Sequence, residues 1–182
     1  MSVIFEDFKV EDIPVLVDWI NQESKEHFLQ WGGAGGGFDY PLDNEQILKH
    51  YETSTVGKLL RKMYKVNDHS SKNMVGYIEL NNINKQHSSA VVSRVLIHRD
   101  FRDQGFGFDM MKNIVDIAFE EFNVHRLALG VFDFNTHAIK CYEKAGFQIE
   151  GLSRDVMKVN GEYWSSIQMS ILDREWEAMR KL

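Results

Sequence analysis

The sequence predicts a mixed α/β (α+β) fold, a mostly antiparallel sheet flanked by helices. Three observations predict it. First, Lys58–Val66, Asn73–Leu80 and Ala90–Ile97 are rich in β-branched and aromatic residues, and only the polar turns Asn67–Ser71 and Asn81–Ser89 separate them. Connections that short join antiparallel neighbours. Second, the period then changes. A long helix, about Gln104 to Phe122, carries Met111, Ile114, Val115, Ala118 and Phe122 on one face. A strand, His125–Phe132, follows, and then a helix, Asn135–Ala145, stopped by Gly146. Third, Asn160-Gly161 stands between the strands Phe147–Lys158 and Glu162–Ile171, the strongest short hairpin signal.

The remaining elements follow in chain order. Ser2–Phe8 reads as a first strand. From Glu11 onward Ile13, Leu16, Val17 and Ile20 recur at helical spacing, with Pro14 in the first turn, where proline is tolerated. Trp31 to Phe38 holds five glycines within six residues, a composition that predicts a flexible loop. Asp43 is an N-cap for a short helix with Ile47, Leu48 and Tyr51 on one face. Asp173–Leu182 is a candidate terminal helix. No repeat and no interdomain linker interrupts the 182 residues, so one domain over 1–182 is expected.

Composition narrows the function. Hydrophobic residues make 43% and charged residues 26% of the chain, which is ordinary for a soluble globular protein. No apolar run is long enough to cross a bilayer. The single cysteine, Cys141, fits a reducing cytoplasm. The net charge of -6 argues against nucleic acid as the main partner, because phosphate binding rests on Lys and Arg, and it suits a cationic small substrate. The seven histidines show no ligand spacing, so no metal is expected.

The chemistry-bearing motif is Arg102-Asp103-Gln104-Gly105-Phe106-Gly107, between the strand ending at Ile97 and the long helix. A glycine turn opening a helix directs backbone N–H groups at an anion. No GxxxxGK[ST] loop is present, and Met110 stands where the third glycine of a dinucleotide loop belongs. The six residues match [QR]-x-x-G-x-[GA]. Downstream, Asn135 to Phe147 reads N-x(6)-Y-E-x-x-G-F, with Asn135 and Tyr142 two helical turns apart on one face. Together these segments resemble the GNAT N-acetyltransferases, and the order of elements is similar over nearly the whole chain. The N-terminal stretch is similar to the branch that includes ribosomal-protein alanine and spermidine acetyltransferases.

That resemblance implies a strongly twisted sheet with helices on both faces and acetyl-CoA as co-substrate. Acetyl-CoA would lie in a V-shaped opening between the fourth strand, Ala90–Ile97, and the fifth, His125–Phe132. Val95, Leu96 and Ile97 would pair with its pantetheine arm. The diphosphate would sit on the loop of Arg102 and Asp103 and on the amides of Gln104, Gly105, Phe106, Gly107 and Phe108, and Asn135 would hold the pantetheine or the acetylated arm. Tyr142 matches the tyrosine that protonates the departing thiolate. The acceptor would be a primary amine: a polyamine or other small amine, an antibiotic amine or a protein N-terminus. A homodimer is also consistent with the family.

The sequence departs from the family pattern at three places. Some members place a glutamate base on the fifth strand, where this chain has Gly130. Glu79, on the preceding strand, is the substitute candidate, with a chain of water as the alternative and a solvated surface carboxylate as the plain reading. Asp103 replaces a frequent glycine beside the diphosphate and is expected to point to solvent. Arg99 replaces a frequent proline. Trp31, Phe38 and Tyr40 either line the acceptor site or pack in the core, and the glycine-rich loop 32–37 is either a substrate lid or a connection. The reading from a different class is a non-catalytic acyl-CoA-binding sensor, for which Gly130 speaks and Tyr142 does not.

Overall fold

The computed structural model describes residues 2–32, 37–55 and 60–181. Seven strands form one sheet: β1 (Val3–Asp7), β2 (Leu60–Asp68), β3 (Met74–Asn84), β4 (Ser89–Ile97), β5 (Arg126–Phe132), β6 (Gln148–Val159) and β7 (Glu162–Leu172). Their spatial order is β1-β2-β3-β4-β5-β7-β6. Strands β2, β3 and β4 are the expected antiparallel meander, and β1 extends it by pairing antiparallel with β2. The turn after β2 is closed by the Asp68 carboxylate, which accepts from the amides of Ser70 and Ser71. Strand β5 must run parallel to β4, and a parallel return needs a crossover. Helix α4 (Phe106–Glu120) supplies it. The last two strands form a hairpin around Asn160 and Gly161, both at positive φ, as the turn requires.

Helices cover both faces. On one side α1 (Ile13–Asn21), α2 (Lys25–Gly32) and α3 (Asn44–Glu52) bury Leu16, Ile20, Phe28, Trp31 and Ile47 against Met63, Tyr77 and Leu96 of the sheet. On the other, α4 and α5 (Thr136–Lys144) enclose a larger core around Ile78, Leu80, Met110, Ile114 and Leu127. Strand β3 is therefore buried on both faces and reads as a nearly continuous apolar run. Helix α6 (Asp173–Met179) closes the chain, with Trp176 stacked on Phe119. Among the described residues no helix is long and apolar enough to cross a membrane.

Several boundaries differ from expectation, each for a local reason. Helix α2 has no counterpart in the sequence reading. It is short, and its two buried residues, Phe28 and Trp31, stand just before the glycines that suggested a loop. Its start carries a cap, Ser24 Oγ accepting from the His27 amide. Helix α4 begins at Phe106 rather than Gln104, because Gly105 has φ +87 and cannot continue a right-handed helix. The Asp43 cap is present, accepting from the Gln46 amide at 2.8 Å. The expected loop over 32–37 falls largely on residues 33–36, and the expected start of β2 on 58–59, which lie outside the described residues.

Candidate active site

The site begins with an irregularity in β4. Tyr77 pairs with Leu96 and Glu79 with Ser93, so two steps along β3 match three along β4. The extra residue makes a β-bulge. Arg94, within it, has φ +50, an uncommon conformation for a side chain of its size. It is held there by Trp31, whose indole N–H donates to the Arg94 carbonyl at 3.1 Å. Pairing of β4 with β5 runs from Ser89–Arg126 to Val91–Ala128 and stops. Past that point the two strands diverge, so backbone edges face a gap in the middle of the sheet. Such edges need partners, and an extended ligand carrying amides provides them.

Two cavities, of about 250 and 420 Å³, occupy this gap. Both are lined by His27, Val95, Asn135 and Tyr142, which mark where they meet. The smaller lies between the diverging strands and α2, against Trp31, Ser93, Arg94 and Gly130. The larger follows Val95, Leu96 and Ile97 to Arg102, Asp103 and Gly107 at the start of α4.

Helix α5 places the two side chains shared from its side. Asn135 is its N-cap, with Oδ1 accepting from the Ala138 amide at 3.2 Å, so the side-chain NH₂ is the group left for a ligand. Tyr142, two turns on, is buried. Burial, reinforced by the neighbouring Cys141, pushes its phenol well above the usual tyrosine range and keeps it a proton donor. Burial also raises the Cys141 thiol, which is the reverse of what an activated nucleophile needs.

The glycine loop forms an anion cradle. The first rung of the α4 ladder runs from the Asp109 amide to the Gly105 carbonyl, so the amides of Phe106, Gly107 and Phe108 have no intrahelical acceptor. A Cβ built at Gly107 would meet Ile97 and Cys141 only at 3.9 Å, and one at Gly105 would meet nothing. The fold itself leaves that room, and a diphosphate fits the exposed amides. Arg102 turns back, donating from Nε to the Ile97 carbonyl and pairing with Glu23. Asp103 is exposed, as expected, with His137 3.9 Å away. The Gln104 amide group bonds the Asp100 carbonyl. The ring of Phe106 is buried in the core and that of Phe108 lies under Lys144, so both can reach a ligand only through their backbone.

Glu79 has a setting the sequence did not suggest. It is fully buried and lines neither cavity. Its carboxylate accepts from Tyr77 OH at 2.7 Å and Arg94 at 3.0 Å, with His50 Nε2 at 2.9 Å and Arg61 at 3.5 Å. Burial alone would raise its pKa, but the His50 hydrogen bond and the Arg94 charge outweigh it and hold the carboxyl below its usual range. The ring of Phe38 covers the Arg94 guanidinium at 4.9 Å and stacks on Trp31. Trp31 is thus both core and cavity wall, Phe38 covers the buried ion cluster, and Tyr40 is exposed beside Phe28.

Arg94 and His27 line the site and were not singled out from the sequence. Arg94 owes its place to the bulge, for which no sequence signal exists. His27 comes from α2, and recognising the Ser24 cap would have located it. Its Nε2 is buried without a hydrogen-bond partner. Burial lowers its pKa, with Glu23 opposing and Arg102 adding to the effect, so the imidazole is neutral near pH 7. Among the described residues no group of His, Cys, Asp and Glu could hold a metal ion.

Comparison with known proteins agrees with this geometry. Residues 40–167 match the acetyltransferase (GNAT) domain family. The spermidine N(1)-acetyltransferase of Vibrio cholerae is 27% identical over 139 residues, covering 76% of this chain and 79% of that protein. The spermidine N(1)-acetyltransferase of Escherichia coli K12 is 31% identical over 106 residues, covering 58% of this chain and 56% of its own length. The fold is similar to that of the Vibrio cholerae enzyme crystallised with CoA and spermine, with a TM-score of 0.82, 22% identity, and coverage of 97% of this chain and 98% of that one. With its meander, its diverging strands and its glycine-opened helix, the chain belongs to the GNAT acetyltransferase family, enzymes that transfer an acetyl group from acetyl-CoA to an amine.

Proposed function

We propose that this protein N-acetylates a small primary amine at the junction of the two cavities, by direct attack on the thioester. The observation that carries the reading is the divergence of β4 and β5 with Tyr142, Asn135 and His27 at the point where they part. Acetyl-CoA, when bound, supplies an acetyl group already activated as a thioester. The open edge of β4 at Val95, Leu96 and Ile97 binds the pantetheine amides, and the amides from Gln104 to Phe108 take the diphosphate beside Arg102 and Asp103. Asn135 orients the arm through its side-chain NH₂.

An ammonium cannot attack, so a proton must leave the nitrogen. Neutral His27 takes it. The nitrogen forms its bond to the carbonyl carbon, the carbon–sulfur bond breaks, Tyr142 gives its proton to the sulfur, and the second proton that the nitrogen sheds on becoming an amide returns to the Tyr142 oxygen. A backbone N–H freed at the bulge polarises the carbonyl. Glu79 stays ionised and fixes Arg94 and His50 rather than moving a proton.

One seven-stranded sheet supports a single catalytic domain. Self-association through a second copy of the chain is supported by the edge strand β6, which exposes Ile149 and Leu152. A Vibrio cholerae relative has been described as a dodecamer. The direct test is a panel of amines in an assay of thiol release from acetyl-CoA. Amine-dependent release is expected. Acetyl-CoA binding with no amine-dependent release from any member would contradict the reading.

A further inference from the structure

The charge around the smaller cavity is not that of a polyamine site. Arg94 is the one charged residue that lines it among the described residues, and no Asp or Glu does. The residues outside the described set, 1, 33–36, 56–59 and 182, carry no Asp or Glu either. Behind Arg94 a single carboxylate, Glu79, answers two guanidinium groups, Arg94 and Arg61. Positive charge is therefore in excess where the acceptor enters, although the chain as a whole carries -6.

Two adjacent residues that line this cavity carry unpaired polar atoms. Ser93 Oγ and Arg94 Nε are buried without a hydrogen-bond partner, in adjacent residues of the bulge. Buried polar atoms are nearly always paired, so neighbouring orphans on a cavity wall mark the place of a ligand group. A hydroxyl beside a guanidinium matches a carboxylate, which accepts from both. The cavity volume of about 250 Å³ lies below the ~300–1,000 Å³ of drug-sized sites and suits a small molecule.

We infer that the acceptor is a small amino-carboxylate, an amino acid or close analogue, whose carboxylate is held by Arg94 and Ser93 while its amine faces His27 and Tyr142. The inference rests on the acetyltransferase reading. A polyamine would instead bring further cationic groups against Arg94 with no carboxylate lining the cavity to receive them.

The test compares pairs of acceptors that differ only in the carboxylate. Amino acids, the amines obtained by removing their carboxyl group, and spermidine are assayed for thiol release from acetyl-CoA. Because a site built to hydrogen-bond a group discriminates strongly against analogues that lack it, kcat/KM for the preferred amino acid should exceed that of its decarboxylated partner by at least ~10²-fold. Arg94→Gln should raise the amino-acid KM at least ~10-fold, leave the KM for acetyl-CoA unchanged and narrow the gap between the paired acceptors. Ser93→Ala, which leaves the buried ion cluster intact, should act in the same direction and keeps the test open if Arg94→Gln does not fold. Spermidine or a decarboxylated amine used as well as any amino acid would overturn the inference and leave the acetyltransferase reading standing. If no acceptor turns over, titration of the CoA-loaded protein with the amino-acid panel decides, and no binding overturns it. Failure of acetyl-CoA itself to bind would overturn both.

Discussion

Tyr142 has the properties of an acid and not of a base. Its side chain is buried and its pKa is raised, so it carries its proton at neutral pH. If that proton goes to the leaving sulfur, Tyr142→Phe removes the donor and little else. Turnover should fall by ~10² to 10⁴-fold with acetyl-CoA affinity unchanged, measured by steady-state kinetics and calorimetry. His27 predicts the pH dependence. Burial disfavours the imidazolium, so the folded pKa lies below the ordinary 6.5 and the neutral, proton-accepting form persists to lower pH. If His27 is the base, activity should be full above 6.5 and lost as pH falls through the lowered pKa. His27→Gln should lower kcat and flatten that acid limb, whereas an unchanged profile would remove His27 from the chemistry. Both residues stand where the cavities meet, but the sequence showed them unequally. Tyr142 is announced by a motif thirteen residues long, from Asn135 to Phe147. His27 sits on an eight-residue helix with no strong apolar stripe.

Strand β4 was legible as a strand, and its working feature was not. Ala90–Ile97 is rich enough in β-branched residues to be assigned, but a bulge depends on which partner residues a neighbouring strand presents, and a single strand's sequence does not encode that. The same holds for Glu79. A charged residue in a β segment usually faces water, and only the assembled sheet brings Arg61, Arg94, His50 and Tyr77 around it. That cluster joins β2, β3, β4 and α3, and it sets the position of Arg94. Removing one partner of a buried ion pair leaves the others uncompensated, at a cost of roughly 3–5 kcal/mol. Glu79→Gln should therefore lower the thermal midpoint by roughly 6–20 °C, at about 2–4 °C per kcal/mol. The wild-type contribution has a defined pH window. The Glu79 carboxyl is held below its ordinary 4.5, so its stabilisation is present above that value and is lost as pH falls through the lowered pKa. A variant as stable as wild type would show that the cluster does not brace β4.

Across the whole molecule the order of elements, α2 apart, was legible from hydrophobic period and turn chemistry, and it accounts for why a site exists. A meander of four strands and a hairpin-based unit of three are joined through one parallel contact, three residue pairs long. The crossover that this parallel contact requires is α4, and its first turn delivers the glycine loop beside the end of β4. The opening is thus a consequence of topology rather than of any single residue. Net charge says less about the site, because -6 is an average over the surface, whereas the one charged residue lining the smaller cavity among the described residues is Arg94. The central claim is that acetyl-CoA occupies this opening, and amide hydrogen exchange tests it in place. With saturating acetyl-CoA, exchange should slow at residues 92–97 of β4 and 104–108 of the glycine loop, while β1 and β2 stay unchanged. Binding that leaves both of those segments exchanging as in the free protein would contradict it.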